Sequence, residues 1–102
     1  MKQREPWEDL SYRLNAEEIK YVLADERGRR FLWRLFTELF QLDVTSFPQN
    51  AGIYALCGKQ QAGRILLRAC REFDLEKVQL AEREYYEATD RVRKLKEGIE
   101  NG

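Results

Sequence analysis

Histidine is absent from the 102 residues, and with it the usual general base and the commonest metal ligand. The two cysteines, Cys57 and Cys70, fall short of the roughly four ligands a zinc site needs. Placed on one helix, they lie about 20 Å apart along its axis, too far for a disulfide. Two buried, reduced thiols are the expectation. Gly58-Lys59-Gln60-Gln61-Ala62-Gly63 sets a lysine behind a glycine as a phosphate loop does. It lacks the Gly-Lys-Ser/Thr order and the preceding strand. The acid pairs Glu17-Glu18 and Glu82/Glu84 fall on amphipathic stretches and read as solvated faces. No catalytic, cofactor-binding or metal-binding residue is assigned, and the reading is of a non-enzyme. Recognition is the chemistry that remains.

Three groups of residues carry it. Arg27, Arg29, Arg30 and Arg34 follow a run of acids that ends at Asp25 and Glu26. Their guanidinium forks suit phosphates or an acidic partner. With 18 basic and 18 acidic residues in balance, the simpler reading is internal pairing with Asp25, Glu26 and Glu38. Trp7 stands in a charged N-terminal stretch, either as an anchor for a partner's pocket or packed back on its own domain. Val92, Leu95 and Ile99 end an apolar seam near the C-terminus and form the third group.

The elements that must position these groups are helical. Asn50 reads as the N-cap of a stretch from Ala51 to Phe73 in which Leu56, Gly63, Leu66, Leu67 and Cys70 share one stripe. Ile53, Cys57 and Phe73 flank it, and Gly58 and Gly63 suggest that another helix crosses closely. Asn15-Ala16-Glu17-Glu18 has the form of a capping box, opening a helix with Ile19, Val22 and Leu23 on one face. Residues 1–14 then form an N-terminal arm, or a short helix from Trp7, and 15–102 a single helical domain. Gly28 interrupts the pattern, after which Phe31, Leu32, Leu35, Phe36 and Leu39 give a wide apolar face, with Trp33 and Phe40 on other sides. Thr45, Ser46 and Pro48 break the chain, and Phe47 is expected to plug that loop into the core. Asp74 can cap a last helix in which Val78, Ala81, Tyr85, Ala88, Val92, Leu95 and Ile99 recur as an a/d seam. Glu87 with Arg91, and Asp90 with Lys94, are spaced to pair across one turn. The fold class is all-α: a small bundle of three to five helices with a long C-terminal amphipathic helix. So long a helix should outrun so small a core and leave its end uncovered.

Totals narrow the function classes. A chain of this length holds one domain, and 43% apolar with 12% aromatic residues supplies a core. Zero net charge argues against nucleic-acid binding through bulk charge. The candidate reading helices lack an exposed Asn/Gln/Arg face apart from Lys59, Gln60, Gln61 and Arg64. No run is apolar enough to span a bilayer, and Met1–Leu10 lacks the apolar core of a signal peptide.

Two segments taken together, Asp25 to Phe36 and Ser46 to Phe73, resemble the Bbp-like family of small tailed-phage and prophage proteins. The resemblance rests on the order of Gly28-Arg29 leading into an apolar helix, the Phe47 loop, Gly58-Lys59-Gln60 and Gly63. The family often has an arginine after the helix glycine, where this chain has Lys59-Gln60. Genes of the family sit among those for portal, capsid and terminase, so the resemblance implies a virion or assembly role. The expectation is a small structural or accessory protein of a tailed-phage particle, present in the virion and in the host cytoplasm during assembly. It would bind in many copies to a larger symmetric component such as portal, capsid or head–tail connector, with self-association also open. The alternative is a helical module that binds or regulates phage DNA.

Overall fold

Pro6 starts the first helix. Its fixed φ is already helical, and the N–H it lacks is one the first turn leaves unpaired. In the computed structural model, which describes residues 4–101, this helix, α1, runs over Pro6–Ala24. Asp9 lies within ion-pair distance of both Arg4 (4.0 Å) and Arg13 (3.5 Å), and the Arg4 guanidinium stacks 3.9 Å over the Tyr12 ring. These contacts hold the opening turns in helix, so Asn15 is mid-helix and caps nothing. The expected start at Asn15 is corrected to Pro6, and most of the expected arm is the first half of α1.

A single extended residue, Asp25, ends α1 and caps α2 (Glu26–Arg34), its carboxylate accepting from the Arg27 backbone N–H at 2.7 Å. The chain folds back so tightly that a side chain at Gly28 would strike the Val22 carbonyl. Gly28 therefore permits a close helix corner within α2 and does not interrupt it. After Arg34 the helix widens to a π turn, Leu35–Leu39, with Phe40 N–H donating to the Leu35 carbonyl at 2.8 Å. Thr37 sits there, its hydroxyl within hydrogen-bond distance of the Trp33 carbonyl (3.2 Å) and of the Tyr85 hydroxyl (3.0 Å). Gln41 then adopts φ 53°, a left-handed residue that ends the helix.

The third element, α3, spans Gly52–Asn101 and is broken once, at Asp74 (φ −160°, ψ 79°). Asn50 Oδ1 accepts from Gly52 N–H at 2.9 Å at its start, and Asp74 Oδ1 from Lys77 N–H at 3.2 Å beyond the break. Both caps fall where the sequence placed them. The break gives α3 a first arm, 52–73, and a second arm, 75–101.

The core is small. Leu23, Leu32, Trp33, Phe36, Cys70, Val78 and Ala81 are buried together, with Ile19, Phe40, Leu42, Leu66, Leu67 and Tyr85 packed around them. Trp33 and Phe36 meet edge to face at 5.4 Å. A methyl at Gly63 would come within 2.6 Å of Phe40 Cβ, so the first arm passes hard against the end of the π turn. Gly58 faces open space, and the close crossing expected there does not occur. Phe31 and Leu39 are exposed, because α2 turns Arg29, Leu32 and Trp33 inward and the π turn adds Phe36. Phe47 is exposed as well; Phe40 and Leu42 fill the place expected for it. Cys57 is exposed and Cys70 buried, correcting the expectation of two buried thiols.

Candidate protein-interaction surface

The second arm of α3 carries one apolar stripe through two environments. Val78 and Ala81 are 3% and 0% exposed, whereas Val92, Leu95 and Ile99, in the same register, are 66%, 70% and 81% exposed. Tyr85 and Ala88 mark the transition. The first part is covered by α2 and the π turn after it, which reach no further than a notch formed by Arg30, Arg34 and Glu38 against Tyr85, Ala88, Thr89 and Val92. Past that notch the arm projects, and none of the described residues covers its seam. On its outer faces Asp90 pairs with Lys94 (3.0 Å) and Arg93 with Glu97 (2.8 Å). Such pairs keep a helix formed where tertiary contacts are missing. The Asp90 carboxyl is held below its ordinary pKa, mainly by hydrogen bonds from Arg93 and Lys94. No Glu87–Arg91 pair forms among the described residues.

The four arginines separate. Arg29 is buried and fully engaged. Its Nε and Nη2 donate to both oxygens of Glu84 (2.6 and 3.2 Å), and its Nη1 to the carbonyls of Leu23 (2.8 Å) and Ala24 (3.0 Å). One guanidinium thus caps the end of α1 and ties α2 to α3. Its place in the recognition cluster is withdrawn, as is the reading of Glu84 as a solvated acid. Arg27 is exposed and pairs with Asp25 at 3.1 Å, as the balanced charge suggested. That pairing and the backbone cap draw the Asp25 carboxyl down to about 2. Arg30 and Arg34 remain at the notch with no ion pair among the described residues, beside the bare seam.

Trp7 is exposed in the first turn of α1 and does not cover the seam. It opens a second stripe that residue-by-residue reading missed. Trp7, Leu10, Leu14 and Tyr21, spaced by three, four and seven, are all exposed. The inward face of the same helix carries Tyr12, which meets Phe73 edge to face at 5.0 Å, together with Ile19 and Leu23. Helix α1 therefore has two opposed apolar faces, one of them unused. The outer stripe continues into the α1–α2 corner, where Tyr21, Val22 and Phe31 line a shallow hollow with Arg27 at its edge. The signal was present in the spacing, but an arm ending at Asn15 divides it.

The polar set proposed for base readout also disperses. Gln60 is buried, its amide donating to the carbonyls of Gln41 and Val44, each at 2.9 Å, and so fastens the loop over the first arm. Its oxygen accepts from Arg64 at 3.3 Å. Burial pushes the Cys70 thiol up, the direction opposite to an activated nucleophile. Among the described residues, no helix is long and apolar enough to cross a membrane. No family model, no curated protein and no solved structure matches the chain.

Proposed function

We infer that this chain is a non-enzymatic assembly protein, a small helical adapter that docks through the uncovered end of α3 onto a larger structure. The observation that carries the reading is the seam itself. Its apolar register continues unbroken for residues after its own domain has ceased to cover it, and exposed stripes of that kind mark interaction sites. The shape agrees: the radius of gyration is 17.4 Å, against about 13 Å for a compact domain of this length. The resemblance to the Bbp-like family supplies the setting, a tailed-phage particle. There the partner would be a symmetric component such as portal, capsid or connector, and the chain a virion constituent present in many copies.

The test is Leu95→Glu with Ile99→Glu, following thermal stability and incorporation into particles together. Unchanged melting with lost incorporation supports the reading; unchanged incorporation rejects it. The unpaired Arg30 and Arg34 favour a second reading, contact with phage DNA. A salt titration of binding to random duplex separates the two, because phosphate contacts impose a steep slope.

A further inference from the structure

The chain exposes 8168 Å². A compact monomer of its 12.2 kDa exposes about 6,100 Å², leaving an excess of about 2,100 Å². A standard interface takes about 800 Å² from each partner. The excess is larger than two such patches together, and the two bare stripes, on α1 and on α3, are two separate surfaces.

Their borders differ in sign. In the heptad register of the seam, the positions beside Val92, Leu95 and Ile99 are Arg91 and Gly98 on one side and Thr89 and Lys96 on the other, with Arg30 and Arg34 at the adjoining notch. Pairing the seam with a second seam, parallel or antiparallel, sets these basic residues against each other, which is unfavourable. The seam calls for an apolar occupant with acidic borders. The outer stripe of α1 has that composition. Trp7, Leu10, Leu14 and Tyr21 supply the apolar surface, and Glu17 and Glu18, three and four residues past Leu14, border it with no ion pair among the described residues.

We propose that the outer face of α1 in one copy seats on the bare seam of α3 in the next. The contact is heterologous: each copy offers two different surfaces, so the chain builds a ring, or an open helical array if the rotation does not close. The proposal rests on the assembly reading above and replaces the portal, capsid or connector, as occupant of the seam, with a second copy of this chain.

Two variants and their mixture test it, with mass in solution measured by light scattering and helicity by circular dichroism. One carries Leu10→Glu and Leu14→Glu, the other Leu95→Glu and Ile99→Glu; all four positions are exposed, so both variants should fold as the parent does. The parent should exceed the mass of one chain. Each variant alone should fall to a single chain, and an equal mixture should stop at two, since one intact junction is regenerated. Either variant remaining assembled by itself, or a mixture that stays monomeric, overturns the head-to-tail contact. If one variant misfolds, the charge exchange decides. Arg91→Glu, or Glu17→Arg with Glu18→Arg, should weaken association, and the combined variant should restore it; a combined variant weaker than either overturns the proposal. A parent that is monomeric at its highest soluble concentration also overturns it. The assembly reading would still stand in that case if the parent enters particles and the Leu95/Ile99 variant does not.

Discussion

The two halves of the seam on the second arm of α3 have the same spacing, the same residue kinds and the same helical register, yet opposite surroundings. Around Val78 and Ala81 the stripe is closed under α2, with Arg29 on Glu84 and Thr37 on Tyr85 fixing the cover. From Val92 to Ile99 no element among the described residues lies over it, and local ion pairs on the far side take over the task of keeping the helix formed. Periodicity identifies the face a helix will bury. What buries it is decided elsewhere, here by where α2 ends and the π turn sends the chain away. The near half is part of this domain's core; the far half is the same kind of surface left for another body.

The largest break of that contrast comes from the near half. Arg29→Ala leaves Glu84 partly buried without its partner and frees two carbonyls at the end of α1. Removing one member of such a pair costs about 3–5 kcal/mol, and chemical denaturation should show it. Arg34→Ala, at an exposed unpaired arginine of the same cluster, should stay within about 0.5 kcal/mol. Equal losses for the two would mean that Arg29 is not the tie between helices described above.

Next in size is a comparison along the stripe itself. Val78→Ala removes two buried methyl groups' worth of contact and should cost about 2 kcal/mol. Ile99→Ala, measured in dilute solution where chains are separate, should cost no more than about 0.5 kcal/mol. A large loss at Ile99 in a lone chain would show that the far half is covered after all.

How far these contrasts are legible in sequence varies with the kind of signal. Asn50 and Asp74 are local caps, and both act where their side chains and the following apolar spacing place them. The stripe of Leu56, Gly63 and Cys70 is readable because its period is helical and its residues are apolar or small. Gln60 lies on that same stripe and was lost to the reading. Its burial depends on two loop carbonyls, 16 and 19 residues away, that no local pattern announces. The capping box at Asn15 failed for a related reason: the motif says what a helix start looks like, and nothing in it says that a helix is already running. Among the arginines, Arg29 differs from its neighbours through Glu84, 55 residues on, and through the carbonyls at the end of α1. The site was legible as a seam, but which arginine belongs to the core and which to the surface was not.

The smallest effect separates the halves by pH. Asp25 caps α2, the helix that covers only the near half, and its carboxyl is lowered from 3.8 to about 2, first by the side-chain hydrogen bond from Arg27 and then by the Arg27 backbone N–H. A carboxyl with a depressed folded-state pKa contributes stability above its unfolded value and loses it as pH falls through the folded one. The contribution is therefore complete above about pH 4 and fades toward about pH 2. Asp25 is exposed, so the effect is modest, and Asp25→Asn keeps a capping oxygen while removing the charge. Melting followed over this range should fall more steeply for the parent than for Asp25→Asn, with the two curves converging at the acid end. Asp90, on the far half, has a lowered carboxyl too, but its partners lie within its own helix. Asp90→Asn should therefore change the helicity of the projecting arm more than the melting of the core. Parallel acid limbs for the parent and Asp25→Asn would mean that the cap does not help to hold α2 over the near half of the seam.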